Sequence, residues 1–436
     1  MLTLMQTQIT EMKPGSNFKS PIPRQISLWV GWAVFFFLMV SILGLSLRYY
    51  FIGEIPGFSF NNIKHGHSHA AMLGWAFLIA GAILMAFFVQ KTKYLRWYQS
   101  ALFLNVVAVL GMTFSFPFEG YGFYSISFST LHVIAAYIFA YAFLRDLNAR
   151  EQKGIADRFA KWSVLWMLAS TVGLWSIAPI SAMLGALHPL YYMSIQWFLH
   201  FQFIGWFTYA TIAGLLKFME SHGRELEIPN HTFLIIQVST ILTYALSISW
   251  STPSSILFYL NSLGVTLQVL GFYMLLKPII LSLRGKRVTG NSWMLSLLQF
   301  GLLMLMARIL IQFAVVIPAV AEISYTLRMY VIAFIHLIMI GTFTFMAAGL
   351  LGLSRYLSVR KVAVWGWKLV LVGFILTEIL MFGQGTMLWA KMGFIPSFHH
   401  YMFWASVLFP IGLLGIAIGQ LNHHRQNFQL KSIFLT

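Results

Sequence analysis

Twelve apolar stretches dominate this chain, roughly 27–50, 68–90, 98–117, 125–145, 162–183, 191–216, 232–250, 255–277, 292–315, 325–351, 362–385 and 400–421. Each is long enough to cross the ~30 Å hydrocarbon core of a bilayer. Within that core every backbone N–H and C=O needs an internal partner, so runs of this length must be helices. Composition agrees: 59% of residues are hydrophobic and 9% charged, against about 25% charged in an average soluble domain. The expected fold is an all-α polytopic membrane protein of about 12 transmembrane helices. One unit spans 25–421, with an N-terminal tail over 1–24 and a C-terminal tail over 422–436. No internal repeat is evident at this level.

The net charge of +17 would suggest a nucleic-acid partner in a soluble protein. Here its distribution supplies the reason. Twenty-three of the 28 Lys and Arg fall in the N-terminus, the C-terminus and the links on one side of the alternating segments; the others are Arg48, Lys64, Arg308, Arg328 and Lys391. That bias is the positive-inside pattern. It predicts cytoplasmic termini and a bacterial-type inner (cytoplasmic) membrane location, with lipid rather than nucleic acid as the surrounding partner. The first segment is too long for a signal-peptide core and lacks a small-residue cleavage site, so it reads as a retained helix. The absence of cysteine excludes disulfides, thiolate metal sites and covalent haem attachment.

With that orientation the ionisable residues gather in one layer toward the outer face. His65, His67 and His69 stand at the mouth of the second segment, in KHGHSHAAMLGW (64–75). His132, His200 and His336 lie within the fourth, sixth and tenth segments, and Arg308 and Glu378 within the ninth and eleventh. Charged groups cost at least ~2.5 kcal/mol at mid-membrane, so they face the bundle interior and serve a purpose. Imidazole is the commonest protein ligand for haem iron, and two histidines from different helices can hold one haem. Arg308 suits a haem propionate, because a guanidinium binds a carboxylate through two N–H groups; an ion pair with Glu378 is the other reading. Residues two apart on a helix point about 200° apart, so only one of His67 and His69 can face the bundle centre, and the choice between them stays open. His65 reads as a loop residue. A surface copper or zinc site joining His65 and the unused member of the triplet to His399 or His400 is a further option.

These residues resemble subunit I of the haem–copper oxidase and nitric oxide reductase superfamily. HSHAAMLGW (67–75) is similar to the helix that supplies one axial ligand of the low-spin haem. HLIMIG (336–341) is similar to the motif of the other, and HFQFIG (200–205) to the helix that carries a non-haem metal ligand. The likeness covers the chain in topology and three short motifs in sequence. Three positions depart from the pattern: Phe334 stands where the family has a high-spin haem histidine, LTYALSISW (242–250) lacks the histidine pair, and Ile204 replaces the reductase glutamate. The resemblance therefore implies haem b between His67 or His69 and His336, with the oxygen- or NO-reducing centre degenerate. It implies electron transfer or a redox role, supplied by a cytochrome c or quinol donor. The HxHxxML and HxxxxG patterns also resemble NnrS-type haem- and copper-containing membrane proteins, which keeps a nitric-oxide-related role open.

Two alternatives accompany this reading. One is an active oxygen or nitric oxide reductase whose atypical site uses His200 and His132 to hold copper or non-haem iron, with Tyr244 or Gln202 nearby. The other is a haem-free transporter or metal-binding membrane protein. Glu378, the acidic residue deepest within a segment, is the candidate for proton transfer. No nucleophile elbow, phosphate-binding loop, HExxH or intramembrane carboxylate pair is present.

Overall fold

The computed structural model describes residues 21–433 apart from 92, 152, 225 and 286–290. Residues 1–20 and 434–436, parts of the two expected tails, lie outside the described residues. The described residues form helices and no strands. They are α1 (Pro21–Tyr49), α2 (Phe60–Phe88), α3 (Leu95–Glu119), α4 (Phe123–Asn148), α5 (Ile155–Leu184), α6 (189–221) and α7 (Asn230–Ser249). There follow α8 (Ser255–Gly285), α9 (Ser292–Ala314), a short α10 (Pro318–Thr326), α11 (Arg328–Leu353), α12 (Lys361–Trp389) and α13 (Phe398–Ile433).

Eleven of these are long and apolar enough to cross a membrane, which makes the chain a multi-pass membrane protein in contact with lipid. The expected twelfth, α6, is a continuous helical run but is not one of the eleven. His200, Gln202, Thr208, Tyr209 and Thr211 lie in its middle and dilute its apolar character. With 9 residues, α10 rises only about 13 Å and cannot span. The last candidate span ends at Leu421, and the backbone of α13 stays helical beyond it to Ile433.

Packing follows chain order. The pairs α3–α4, α7–α8 and α12–α13 lie side by side, and α1 packs against α13. Helices α2, α6 and α11 occupy the middle, where their later halves touch one another pairwise. Without a hydrophobic drive between helices in lipid, close approach at small residues supplies the packing energy. Gly214 shows this at the junction of all three: a Cβ there would lie 2.4 Å from Ile83 Cγ2 of α2 and 3.5 Å from Leu350 Cδ1 of α11.

The His-to-Gly spacing of HLIMIG and HFQFIG recurs in all three of these helices, with a shared local geometry. Each carries a histidine followed five residues later by glycine: His69/Gly74, His200/Gly205 and His336/Gly341. Each opens into a π-helical turn directly after that histidine, over Ala70–Ala76, Phe201–Phe207 and Leu337–Thr344. In two of them a threonine at the same place fills the widened turn. Thr208 Oγ1 donates to Phe203 O at 2.7 Å, and Thr344 Oγ1 to Met339 O at 2.8 Å. In α2 the equivalent residue is Phe77, and Trp75 Nε1 instead donates across to Thr344 Oγ1 at 3.0 Å. The wide turns follow from an inserted residue that breaks the 3.6-residue periodicity, and such insertions gather at functional sites. The spacing is legible in the sequence, whereas the wide turn that follows each histidine is not.

Gly214→Val should overpack the three-helix junction and cost about 1–3 kcal/mol, read as a lowered apparent melting temperature in detergent. Gly383→Ala, where a Cβ would meet nothing within 4 Å, should leave it unchanged.

Candidate functional site

The histidine triplet does not sit at a helix mouth or in a loop. Helix α2 begins at Phe60, so His65, His67 and His69 all lie inside it. This corrects the expectation for His65, whose ring packs 4.6 Å from that of Tyr121. Helical geometry then sends His67 one way and His69 the other, as their partners show.

His67 turns toward α1 and α11. Its Nδ1 lies 2.9 Å from Val40 O. A carbonyl only accepts, so Nδ1 carries the proton and Nε2 keeps its lone pair. Gly44 makes room for the ring: a Cβ at that position would stand 3.0 Å from His67 Cε1. Arg48, one turn further along α1, acts electrostatically on both His67 and His336, and the two imidazoles act on each other. The His336 ring has no hydrogen-bond partner among the described residues. Both rings are partly buried.

The cation beside this pair is thus Arg48, which the sequence reading did not single out. Its signal was present: Arg48 is one of five basic residues on the sparsely charged side. Its Nη2 approaches Met381 Sδ at 3.5 Å. One turn away, Glu378 keeps both carboxylate oxygens buried and without a hydrogen-bond partner among the described residues, with Arg48 as the charge that acts on it. Arg308 lies elsewhere. Fully buried, it donates through Nη1 to Thr208 Oγ1 at 3.2 Å, interacts with His200, and leaves Nε and Nη2 unpartnered. The expected ion pair with Glu378 does not form, since both Glu378 oxygens are without a hydrogen-bond partner among the described residues.

His69 faces α3 and α4. Its ring lies 4.3 Å from Phe116 and 5.8 Å from Tyr121, and its Nδ1 is 2.9 Å from His65 O. Behind it His132 is buried at 5% exposure, with Nδ1 2.6 Å from Asn105 Oδ1 and its ring edge-on to Phe77. His200, 6% exposed, belongs to a third place between α6 and α7. Its Nε2 donates to Thr240 O at 2.8 Å, and its Nδ1 lies 3.4 Å from Ser247 Oγ. Both ring nitrogens are therefore engaged. His132 is held against α3 and His200 against α7, so the two expected ligands of one metal have different partners. Tyr244 and Gln202 are also occupied, the first donating to Met193 O and the second to Ser170 Oγ. His399 stacks on Phe51 at 4.6 Å and interacts with Arg48.

The residues around His67 and His336 fit a haem in three respects. They offer two imidazoles from different helices, a free ring nitrogen on each, and a cation for an acidic side group. No set of three or more His, Cys, Asp or Glu side chains converges among the described residues. That bears on a multi-ligand metal centre and not on a two-histidine haem site. The chain matches no protein-family model and no curated protein.

His200→Ala should remove two interhelical contacts and cost about 1–3 kcal/mol, lowering the melting temperature while iron and copper per chain stay constant. Loss of metal at unchanged stability would instead make His200 a ligand.

Proposed function

We propose that this chain is a b-type haem-binding membrane protein that transfers electrons or senses redox state, with His67 and His336 as the two axial ligands. The observation that carries the reading is the pairing itself. Two partly buried imidazoles on separate inner helices each keep a nitrogen that no described residue engages, and Arg48 acts on both. A haem bound there would supply reversible one-electron chemistry.

The protein's own groups define what that chemistry is for. Val40 O fixes the tautomer and orientation of His67, the role that outer partners of ligating histidines commonly play. Gly44 lets the ring seat against α1. Arg48 offers a positive partner for a propionate. A haem held by both imidazoles would keep no open position for a gas, which favours electron transfer over reduction of oxygen or nitric oxide. The engagement of both His200 nitrogens and the lack of histidine over residues 242–250 support the same conclusion. The Lys and Arg asymmetry supports cytoplasmic termini in a bacterial-type inner membrane. The central trio of His-bearing helices supports a divergent subunit I-like bundle taking electrons from a quinol or a cytochrome c.

Expression with ample haem should give a protein with a Soret band and one haem b per chain by pyridine haemochrome. His67→Ala and His336→Ala should each abolish or convert the low-spin spectrum, while His69→Ala retains it. Wild-type protein without iron or Soret absorption would end the proposal.

A further inference from the structure

The haem reading leaves His65 and His69 unused, and their surroundings describe a site of a different kind. They stand one turn apart on α2, a spacing that puts two side chains on one helical face. Because His69 Nδ1 donates to His65 O at 2.9 Å, its Nε2 carries a lone pair with its orientation set by a backbone carbonyl. That is the usual state of a metal-ligating imidazole. His65 has no side-chain hydrogen bond among the described residues.

Both rings pack against the same two aromatics. His65 is 4.6 Å from Tyr121 and 6.2 Å from Phe116; His69 is 5.8 Å and 4.3 Å from them. Both imidazoles are half-buried, and Tyr121, 59% exposed, forms the outer lip. The site therefore opens outward, whereas His67 points away from it toward α1. The adjacent cation, Lys64, donates to Asn61 Oδ1 at 2.9 Å. His132 lies behind, within electrostatic reach of His69.

We propose that His65 and His69 form a two-imidazole site for a transition-metal ion of the class that imidazole selects, represented by Cu(II), separate from the His67–His336 pair. Such ions take nitrogen ligands at open, water-completed positions. Ligation by the pair leaves room for water from the outer lip. The site does not depend on haem being present.

The test uses full-length, tag-free, metal-stripped protein in detergent, titrated with Cu(II) and followed by electron paramagnetic resonance and metal analysis. A single ion per chain with nitrogen hyperfine structure is expected. His65→Ala and His69→Ala should each weaken binding at least about tenfold, with the melting temperature confirming a folded protein. His399→Ala and His400→Ala should leave it unchanged. Absence of binding in wild type, binding indifferent to both α2 variants, or equal loss in the His399 and His400 variants overturns the site. If His69→Ala abolishes haem absorbance instead, His69 is the axial ligand, and both this site and the His67 assignment fall. Cu(II) binding by a haem-free wild type would retain this site while removing the haem reading.

Discussion

A polar ring taken into hydrocarbon must find a partner inside the protein, and that requirement organises this bundle. An unmet buried donor or acceptor costs about 1–3 kcal/mol, so His67, His132 and His200 are each tied to a neighbouring helix. His132 is tied to Asn105 of α3, and His200 to Thr240 of α7. His67 is held by Val40 of α1 through one nitrogen and leaves the other for the interior. His336, with no such tie, faces His67 and Arg48. The difference between a packed histidine and an available one is decided by these bonds rather than by depth in the membrane.

The three π-helical turns give that layer its regularity. Each begins at the residue after a histidine and sets the register of the helix beyond it. Thr208 and Thr344 return a hydroxyl to the opened turn, and Trp75 bridges α2 to α11 through Thr344. Around this frame, the HxH spacing in α2 divides two environments. His67 and His336 share one with Arg48, Met381 and Glu378; His65 and His69 share the other with Phe116 and Tyr121. One short motif thus serves two sides of one helix.

The membrane-spanning architecture was legible in the sequence because apolar length and charge bias are averages over many residues. The boundaries of α1, α4 and α9 needed only small adjustment. The helical opposition of His67 and His69 was legible too, since 100° per residue is fixed by backbone geometry. Which ring meets which partner was not, because that depends on how α1, α3 and α11 dock. The start of α2 was misplaced since Asn61, Asn62, Lys64 and His65 look like a loop by composition, yet the helix begins before them at Phe60. Arg308 was assigned to the wrong neighbours for a similar reason: depth was readable, direction around the helix was not. Arg48 and Gly44 were passed over because a helix-end arginine and a mid-helix glycine have ordinary uses, and only their apposition to His67 gives them another.

The central claim is that His67 and His336 hold one porphyrin between α2 and α11. An electron cryomicroscopy map of haem-replete protein tests it most directly. The account predicts planar density joined to the Nε2 atoms of both imidazoles, with Arg48 beside its edge. A map in which side chains or lipid fill the space between the two rings, or in which a porphyrin is ligated through His69, would contradict it.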